Sequence, residues 1–309
     1  MDKTLDVVAL GEAMLEFNQT EAGRPNYLQG FGGDTSNVVI AAARAGARAA
    51  YLSRIGADPF GTRLLELWTE EGVDTRGVER DALAPTGIYF VTHGPNGHEF
   101  SYYRAGSAAS RMTPAWLQAG PAAQIIASAR FLHVSGISLA ISTSACETVY
   151  RAMQLARAAG TCVAFDSNLR LKLWPLNRAR TCIERAVALC DLFLPSLEDI
   201  TTLTGLCDPD AIADWGHSLG ASQVVLKMGD RGVLTSTNGE RHHLPALQVP
   251  LIDATGAGDC FCGNLLAQLS AGAPPLEAAR YANAAAALCV QGFGAVAPLP
   301  GPAQVEVLL

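Results

Sequence analysis

The seven residues Asp253-Ala254-Thr255-Gly256-Ala257-Gly258-Asp259 stand immediately before a helical-looking run, Cys260 to Ser270. Small residues at a helix entrance leave backbone N–H groups uncovered, and the helix dipole adds about half a positive charge there. Such an end binds anions. A phosphoryl group that gains charge on its equatorial oxygens during transfer is an anion of this kind. The amides of Gly256, Ala257 and Gly258 are therefore a candidate anion hole, and Asp259 beside them is a candidate base for an attacking alcohol. An ordinary carboxylate pKa suffices for that task, because the base chiefly orients the hydroxyl and takes its proton late. An aspartate in a first helical turn can equally be a cap. An isolated Gly-x-Gly-Asp favours the cap, and the complete string favours catalysis.

These groups must be positioned by the rest of the chain, where strand-like and helix-like segments alternate. Short apolar runs at Val7–Leu10, Ala50–Ser53, Arg130–Val134, Cys162–Phe165, Leu192–Leu194 and Val224–Lys227 read as strands. Helical patterns run from Ser36-Asn37 to Gly46, from Phe60 to Glu71 before Gly72, and from Ser144 to Ala159 before Gly160. The alternation predicts an α/β fold with a mostly parallel sheet covered on both faces. Residues 13–33 lack a helical period. Residues 86–104 alternate in character around a Pro95-Asn96-Gly97 turn and predict a β-hairpin. His242-His243 lie in a second, polar hairpin. The simplest organisation is one domain over 1–309, with lid segments at about 13–33 and 86–106 inserted in the core.

The chain has 309 residues, 49% hydrophobic and 17% charged, with a formal net charge of −7. No basic stripe suggests a nucleic-acid partner. No apolar run approaches the ~20 residues that span a bilayer, and the start MDKTLDVVALGE does not read as a signal peptide. The eight cysteines form no C-x-x-C pair and read as buried thiols of a cytoplasmic protein. The six histidines form no zinc-like cluster. There is no G-x-x-x-x-G-K-[ST] and no G-x-G-x-x-G after the first strand, which removes a P-loop and weakens a dinucleotide site.

Taken together, Gly32-Gly33-Asp34-Thr35-Ser36-Asn37, Arg54-Ile55-Gly56-Ala57-Asp58-Pro59-Phe60-Gly61 and the C-terminal string resemble the signatures of the ribokinase-like (PfkB) carbohydrate kinases. The resemblance covers nearly the whole chain. It implies a three-layer α/β/α sandwich with a small β-sheet lid. It also implies ATP with Mg²⁺, a small sugar as acceptor, and a homo-oligomer, a dimer or larger. Lys227-Met228-Gly229-Asp230-Arg231-Gly232 matches the family's K-x-G-x-x-G loop, so Lys227, Gly229 and Gly232 are expected at ATP, as is Asn283. Asp253 and Thr255 fit a loop that holds a monovalent cation, K⁺, in many members.

Tyr102-Tyr103-Arg104-Ala105-Gly106-Ser107-Ala108-Ala109 and Asp166-Ser167-Asn168-Leu169-Arg170-Leu171-Lys172-Leu173-Trp174 are similar to the family branch that phosphorylates 2-keto-3-deoxygluconate at its terminal hydroxyl. That substrate is a carboxylate as well as a polyol, and a planar guanidinium pairs well with a carboxylate. Arg104 and Arg170 are the expected charges, and Tyr89 and Tyr103 the expected partners of hydroxyl or keto oxygens. Gly33 allows close approach, and Asp34 and Asn37 complete the sugar site. Arg170 can instead be a surface ion-pair arginine, and the tyrosines packing residues of the hairpin. A fructokinase needs no arginine pair and is the alternative within the family. The family's N-x-x-E string is replaced by Ser196-Leu197-Glu198-Asp199, which alters the expected metal network and is the sole support for a sugar-binding sensor without turnover. An NAD-linked oxidoreductase rests only on the α/β pattern and the glycine count.

Overall fold

Each short apolar run of the sequence is a strand of a nine-stranded sheet. The computed structural model describes residues 3–94 and 97–309. In chain order the strands are β1 Leu5–Leu10, β2 Met14–Gln19, β3 Tyr27–Gly32, β4 Ala49–Gly56, β5 Asp74–Asp81, β6 Gly87–Gly94, β7 Gly97–Tyr103, β8 Ala129–Ser135, β9 Cys162–Asp166, β10 Leu192–Phe193, β11 Gln223–Lys227, β12 Val233–Thr237 and β13 Glu240–Leu244. The large sheet runs β13-β12-β11-β10-β9-β8-β1-β4-β5. It is parallel from β11 to β5 and ends in the antiparallel pairs β11–β12 and β12–β13.

Period-two alternation divides the core. Val8 and Leu10 of β1 face one hydrophobic layer, packed with Val149, Met153 and Ile183. Val7 and Ala9 face the opposite side, with Val38, Leu265 and Ala282 in one cluster and Val39 and Ala284 in another. Helices therefore cover both faces, and the sandwich has three layers. Full burial of a side chain such as Leu10 contributes roughly 2 kcal/mol. Alanine and glycine let the helices Asp34–Arg44 and Ala257–Ser270 approach closely: a Cβ on Gly263 would lie 2.4 Å from the Val38 carbonyl oxygen. That contact locks two chain segments more than two hundred residues apart, and both carry site residues.

The second sheet, β3-β2-β6-β7, gathers the two segments that break the α/β rhythm. Residues 13–33 supply β2 and β3, and the expected hairpin is β6–β7. Of the expected Pro95-Asn96-Gly97 turn, Pro95 and Asn96 lie outside the described residues. Strand β5 escapes the sequence pattern because it is the outer strand of the large sheet and reads Asp-Thr-Arg-Gly-Val-Glu-Arg-Asp. Charged residues on an edge strand discourage pairing with other chains and hide the strand from hydrophobicity. The polar hairpin is β12–β13, closed by Asn238 and Gly239 at φ 53° and 82° as a two-residue Asn-Gly turn requires.

Candidate active site

The C-terminal ends of β1, β9 and β11 open on a cavity of about 880 Å³, roofed in part by the small sheet. Glu12 follows β1, Asp166 ends β9, Lys227 ends β11, and all three line it. Crevices at the carboxyl ends of parallel strands are the usual ligand sites of open α/β sheets.

At one end of the cavity the helix Ala257–Ser270 begins. Its N-cap, Gly256, has φ 76°. The helix starts three residues earlier than the apolar pattern of Cys260–Ser270 indicates, so Ala257, Gly258 and Asp259 form its first turn. The Ala257 amide donates to the Ala254 carbonyl at 3.2 Å. Of the expected trio the Ala257 amide is thus taken, whereas the Gly256 and Gly258 amides, together with that of Asp259, have no backbone acceptor among the described residues and are open to an anion. Asp259 lies against this turn and accepts a hydrogen bond from Asn37 Nδ2 at 2.8 Å through its Oδ2 atom. Burial, then the nearby Asp34 carboxylate, pushes the Asp259 pKa up to about 8. An ordinary carboxylate pKa would have sufficed for a base, but burial and tertiary contacts that gather carboxylates far apart along the chain raise it.

Those carboxylates form the floor. Asp34, the first residue of its helix, accepts from Asn168 Nδ2 at 3.0 Å, and burial raises its pKa. Its Oδ1 atom and the Asn37 Oδ1 atom are buried without a partner. Gly33, with φ 116°, is needed just before them, since a Cβ there would sit 2.5 Å from the Glu12 carbonyl oxygen. Lys227 Nζ donates to Asp166 Oδ2 at 2.6 Å and approaches Cys262 Sγ at 3.4 Å. Burial opposes the lysine charge, but Asp166 and its other neighbours outweigh that and raise its pKa. A Cβ on Gly258 would lie 3.7 Å from this ammonium, which places Lys227 beside the first turn of that helix. Beneath them, burial lowers the pKa of His133 to about 4 and keeps it neutral.

The opposite end carries the sugar candidates. Tyr89 is buried, lines the cavity, and donates its hydroxyl to Glu16 at 2.5 Å, so only its oxygen lone pairs remain for a ligand. Tyr103 was expected here as well, but the register pairs Tyr103 with Ile88 and Tyr102 with Tyr89. Successive strand residues face opposite sides. Tyr103 packs edge-on against Phe90, away from the cavity lining, with 65% of its surface exposed. Tyr102 takes its place, stacked on Tyr89 at 5.5 Å and lining the cavity. Even a Tyr-Tyr pair is legible once the face of Tyr89 is known, because both must be counted by twos.

Arg104 also departs from expectation. Its guanidinium is paired with the buried Glu12 carboxylate, with Nε donating to Oε2 at 2.8 Å and Nη2 donating to the same oxygen. Nothing in the sequence signals Glu12, 92 residues away. Arg170 is exposed at the cavity rim, with Nη1 donating to the Leu169 carbonyl at 2.8 Å; it makes no ion pair among the described residues, although its charge is felt by the Asp199 carboxylate. Lys172, exposed on the same segment, lines the cavity too.

Two further candidates, Gly232 and Asn283, are not brought to the cavity. Gly229 lines the cavity, but Gly232 does not: at φ 87° it turns the chain into β12, where a Cβ would meet the Leu244 carbonyl oxygen at 2.0 Å. Asn283 sits on the helix Pro275–Cys289, outside the cavity lining, and donates to the Pro245 carbonyl at 2.8 Å. Asp253 ties its loop together: Oδ1 accepts from the Thr255 amide at 2.9 Å and hydroxyl at 2.7 Å, and Oδ2 from the Gly294 amide at 2.9 Å. The altered Ser196-x-x-Asp199 string is a helix cap, with Ser196 Oγ accepting from the Asp199 amide at 3.1 Å. Asp199 is held over the cavity by Ser167 Oγ and the Leu169 amide, and burial raises its pKa.

Open amides for an anion and a carboxylate poised for an alcohol proton belong together in phosphoryl transfer, which defines a kinase with an alcohol acceptor. The model of the pfkB family of carbohydrate kinases matches residues 4–302. The 2-dehydro-3-deoxygluconokinase of Thermoproteus tenax is 36% identical, with 99% of this chain and 94% of that protein covered. Fructokinase-1 of Oryza sativa subsp. japonica is 34% identical, covering 98% and 96%. A putative ribokinase II from E. coli, crystallised with ATP and Mg²⁺, superposes with a TM-score of 0.89 at 25% identity, covering 99% and 98%. The chain belongs to the pfkB family of carbohydrate kinases and has the ribokinase-like fold. The oxidoreductase alternative falls with that.

Proposed function

We propose that this carbohydrate kinase transfers the γ-phosphoryl group of ATP to the terminal hydroxyl of 2-keto-3-deoxygluconate, forming 2-keto-3-deoxy-6-phosphogluconate. The observation that carries the sugar-acid reading is Arg170, an exposed guanidinium in no ion pair among the described residues, at the rim of the cavity that holds Asp259. A guanidinium of that kind offers a fork of donors and a full charge to a carboxylate. The buried, unpartnered oxygens of Asp34 and Asn37 suit a polyol, whose hydroxyls would donate to them. The name of the Thermoproteus tenax relative agrees with this reading. That of the rice relative favours fructose, which is the second reading.

In the proposed step the Oδ1 atom of Asp259, left open by the Asn37 contact at Oδ2, accepts the proton of the sugar hydroxyl as its oxygen bonds to the γ-phosphorus and the bond from that phosphorus to the bridging oxygen breaks, releasing ADP. The Gly256, Gly258 and Asp259 amides then stabilise charge on the transferring group, with Lys227 held beside them by Asp166. The fit to ATP with Mg²⁺ rests on these amides, on Gly229 at the cavity wall, and on Glu198 and Asp199, which line the cavity and suit water-mediated contact to Mg²⁺. Mg²⁺ when bound neutralises phosphate charge. A monovalent cation beside Asp253 and Thr255 belongs to the same proposal. So do a lid role for segments 13–33 and 86–106 of a single domain over residues 1–309, a homo-oligomer, and a cytoplasmic setting.

An ADP-release assay over a panel of sugars tests the substrate. A kcat/KM for 2-keto-3-deoxygluconate well above that for fructose is expected, and comparable values overturn the sugar-acid reading. Arg170→Gln should raise KM for the sugar acid roughly tenfold, on the scale of one lost charge-assisted hydrogen bond. It should leave KM for fructose within about threefold.

A further inference from the structure

We infer that Glu12 is a specificity-determining residue: by cancelling the charge of Arg104, it sets how strongly the sugar end of the cavity prefers an acid over a neutral sugar. This rests on the sugar-acid reading of the same site.

The pair is built into the fold. Glu12 and Arg104 both line the cavity, and their side chains are 1% and 10% exposed. Glu12 Oε2 receives both Nε and Nη2 of Arg104, while its Oε1 accepts from Ser107 Oγ. Gly87 leaves the space they occupy, since a Cβ there would lie 2.9 Å from Glu12 Oε1 and 3.5 Å from Arg104 Cβ. The carboxylate is thus held from β7's exit, from the Ser107 turn and from β6. No freedom is left for Arg104 to exchange it for a substrate carboxylate.

A guanidinium fused to a buried carboxylate presents hydrogen bonds but no net charge. Arg104 has one further nitrogen, Nη1, without a protein acceptor among the described residues, and it can donate to a hydroxyl, a keto oxygen or a carboxylate alike. Net attraction for an acid then falls to Arg170 and Lys172 at the rim, opposed by Asp34, Asp166, Glu198, Asp199 and Asp259 and helped by Lys227. A neutral sugar meets no unpaired buried cation at Arg104 and is not penalised there. Removing the Glu12 charge while keeping its shape releases a full positive charge at the sugar.

The test compares dissociation constants of 2-keto-3-deoxygluconate and fructose by titration calorimetry in the wild type and in Glu12→Gln, Glu12→Asp and Glu12→Gln/Arg104→Gln. In Glu12→Gln the preference for the acid should rise at least ~5-fold at low salt and shrink as salt is added, as an unscreened charge a few ångströms away requires. Glu12→Asp keeps the charge and should stay within about twofold of the wild-type preference. The double variant restores charge balance and should return to about the same value. Because it removes both ions together, it is expected to fold even if Glu12→Gln does not. An unmoved preference in Glu12→Gln, or a double variant that departs from the wild type as strongly as Glu12→Gln does, overturns the proposal. If the wild-type enzyme turns over fructose and not the acid, the substrate reading fails alone, and the ratio of dissociation constants still judges Glu12.

Discussion

Asp259 concentrates the chemistry at the scale of single residues. Its carboxylate is held by Asn37 and crowded by Asp34 and Asp166, and burial with that crowding lifts its pKa to about 8. The base must be ionised to accept a proton, so acid inactivates it. In the free enzyme, kcat/KM should fall about tenfold per pH unit below about 8 and level off above it. A profile that levels off already near pH 5 would mean the group titrates as an ordinary carboxylate. Asp259→Asn keeps the shape and the Asn37 neighbour while removing the proton acceptor. We expect kcat to drop at least ~10²-fold, with sugar binding retained by calorimetry. Unchanged turnover would return Asp259 to the status of a helix cap.

Two predictions belong to elements. The pleat of β7 sends Tyr102 to the cavity and Tyr103 to the far face. Tyr102→Ala should raise the sugar KM about tenfold, on the scale of a lost aromatic wall. Tyr103→Ala should leave it within about twofold. Steady-state kinetics on the pair decide this, and the reverse pattern would mean the register is shifted by one residue. In the loop between β11 and β12, Gly229 faces the cavity and Gly232 turns the chain. Gly232→Ala meets both a left-handed φ and the Leu244 carbonyl. It should cost at least ~2 kcal/mol in urea unfolding, a backbone-strain effect, while the folded fraction keeps its KM for ATP. A selective rise in that KM without loss of stability would restore Gly232 to the nucleotide site.

The whole molecule brings the helix starts at Asp34 and Ala257 and the ends of β1, β9 and β11 to one cavity. Ligand binding should therefore stabilise the entire chain by mass action. At a hundredfold excess of ligand over Kd, a non-hydrolysable ATP analogue with Mg²⁺ should add about 2.7 kcal/mol, read as a rise of a few degrees in Tm. Chelating Mg²⁺ should shrink that rise, and a Tm indifferent to nucleotide would remove ATP from the proposal.

The apolar strands of the large sheet, the small-residue strings ahead of the two site helices and the family were legible in the residues alone. They depend on local rules: apolar period, glycine and small residues at helix starts, and motif spacing. The anion turn, Asn37 and Asp259 could be named from short strings for that reason. Pairing across long separations could not. The Glu12–Arg104 and Asp166–Lys227 ion pairs join positions 92 and 61 apart, and no local pattern encodes which carboxylate neutralises which cation. The same holds for the raised pKa of Asp259, which comes from burial first and then from Asp34 and Asp166 beside it. The sequence specified which groups were available for chemistry, whereas packing set their charge, because electrostatic energy depends on distance and burial in space and not on separation along the chain.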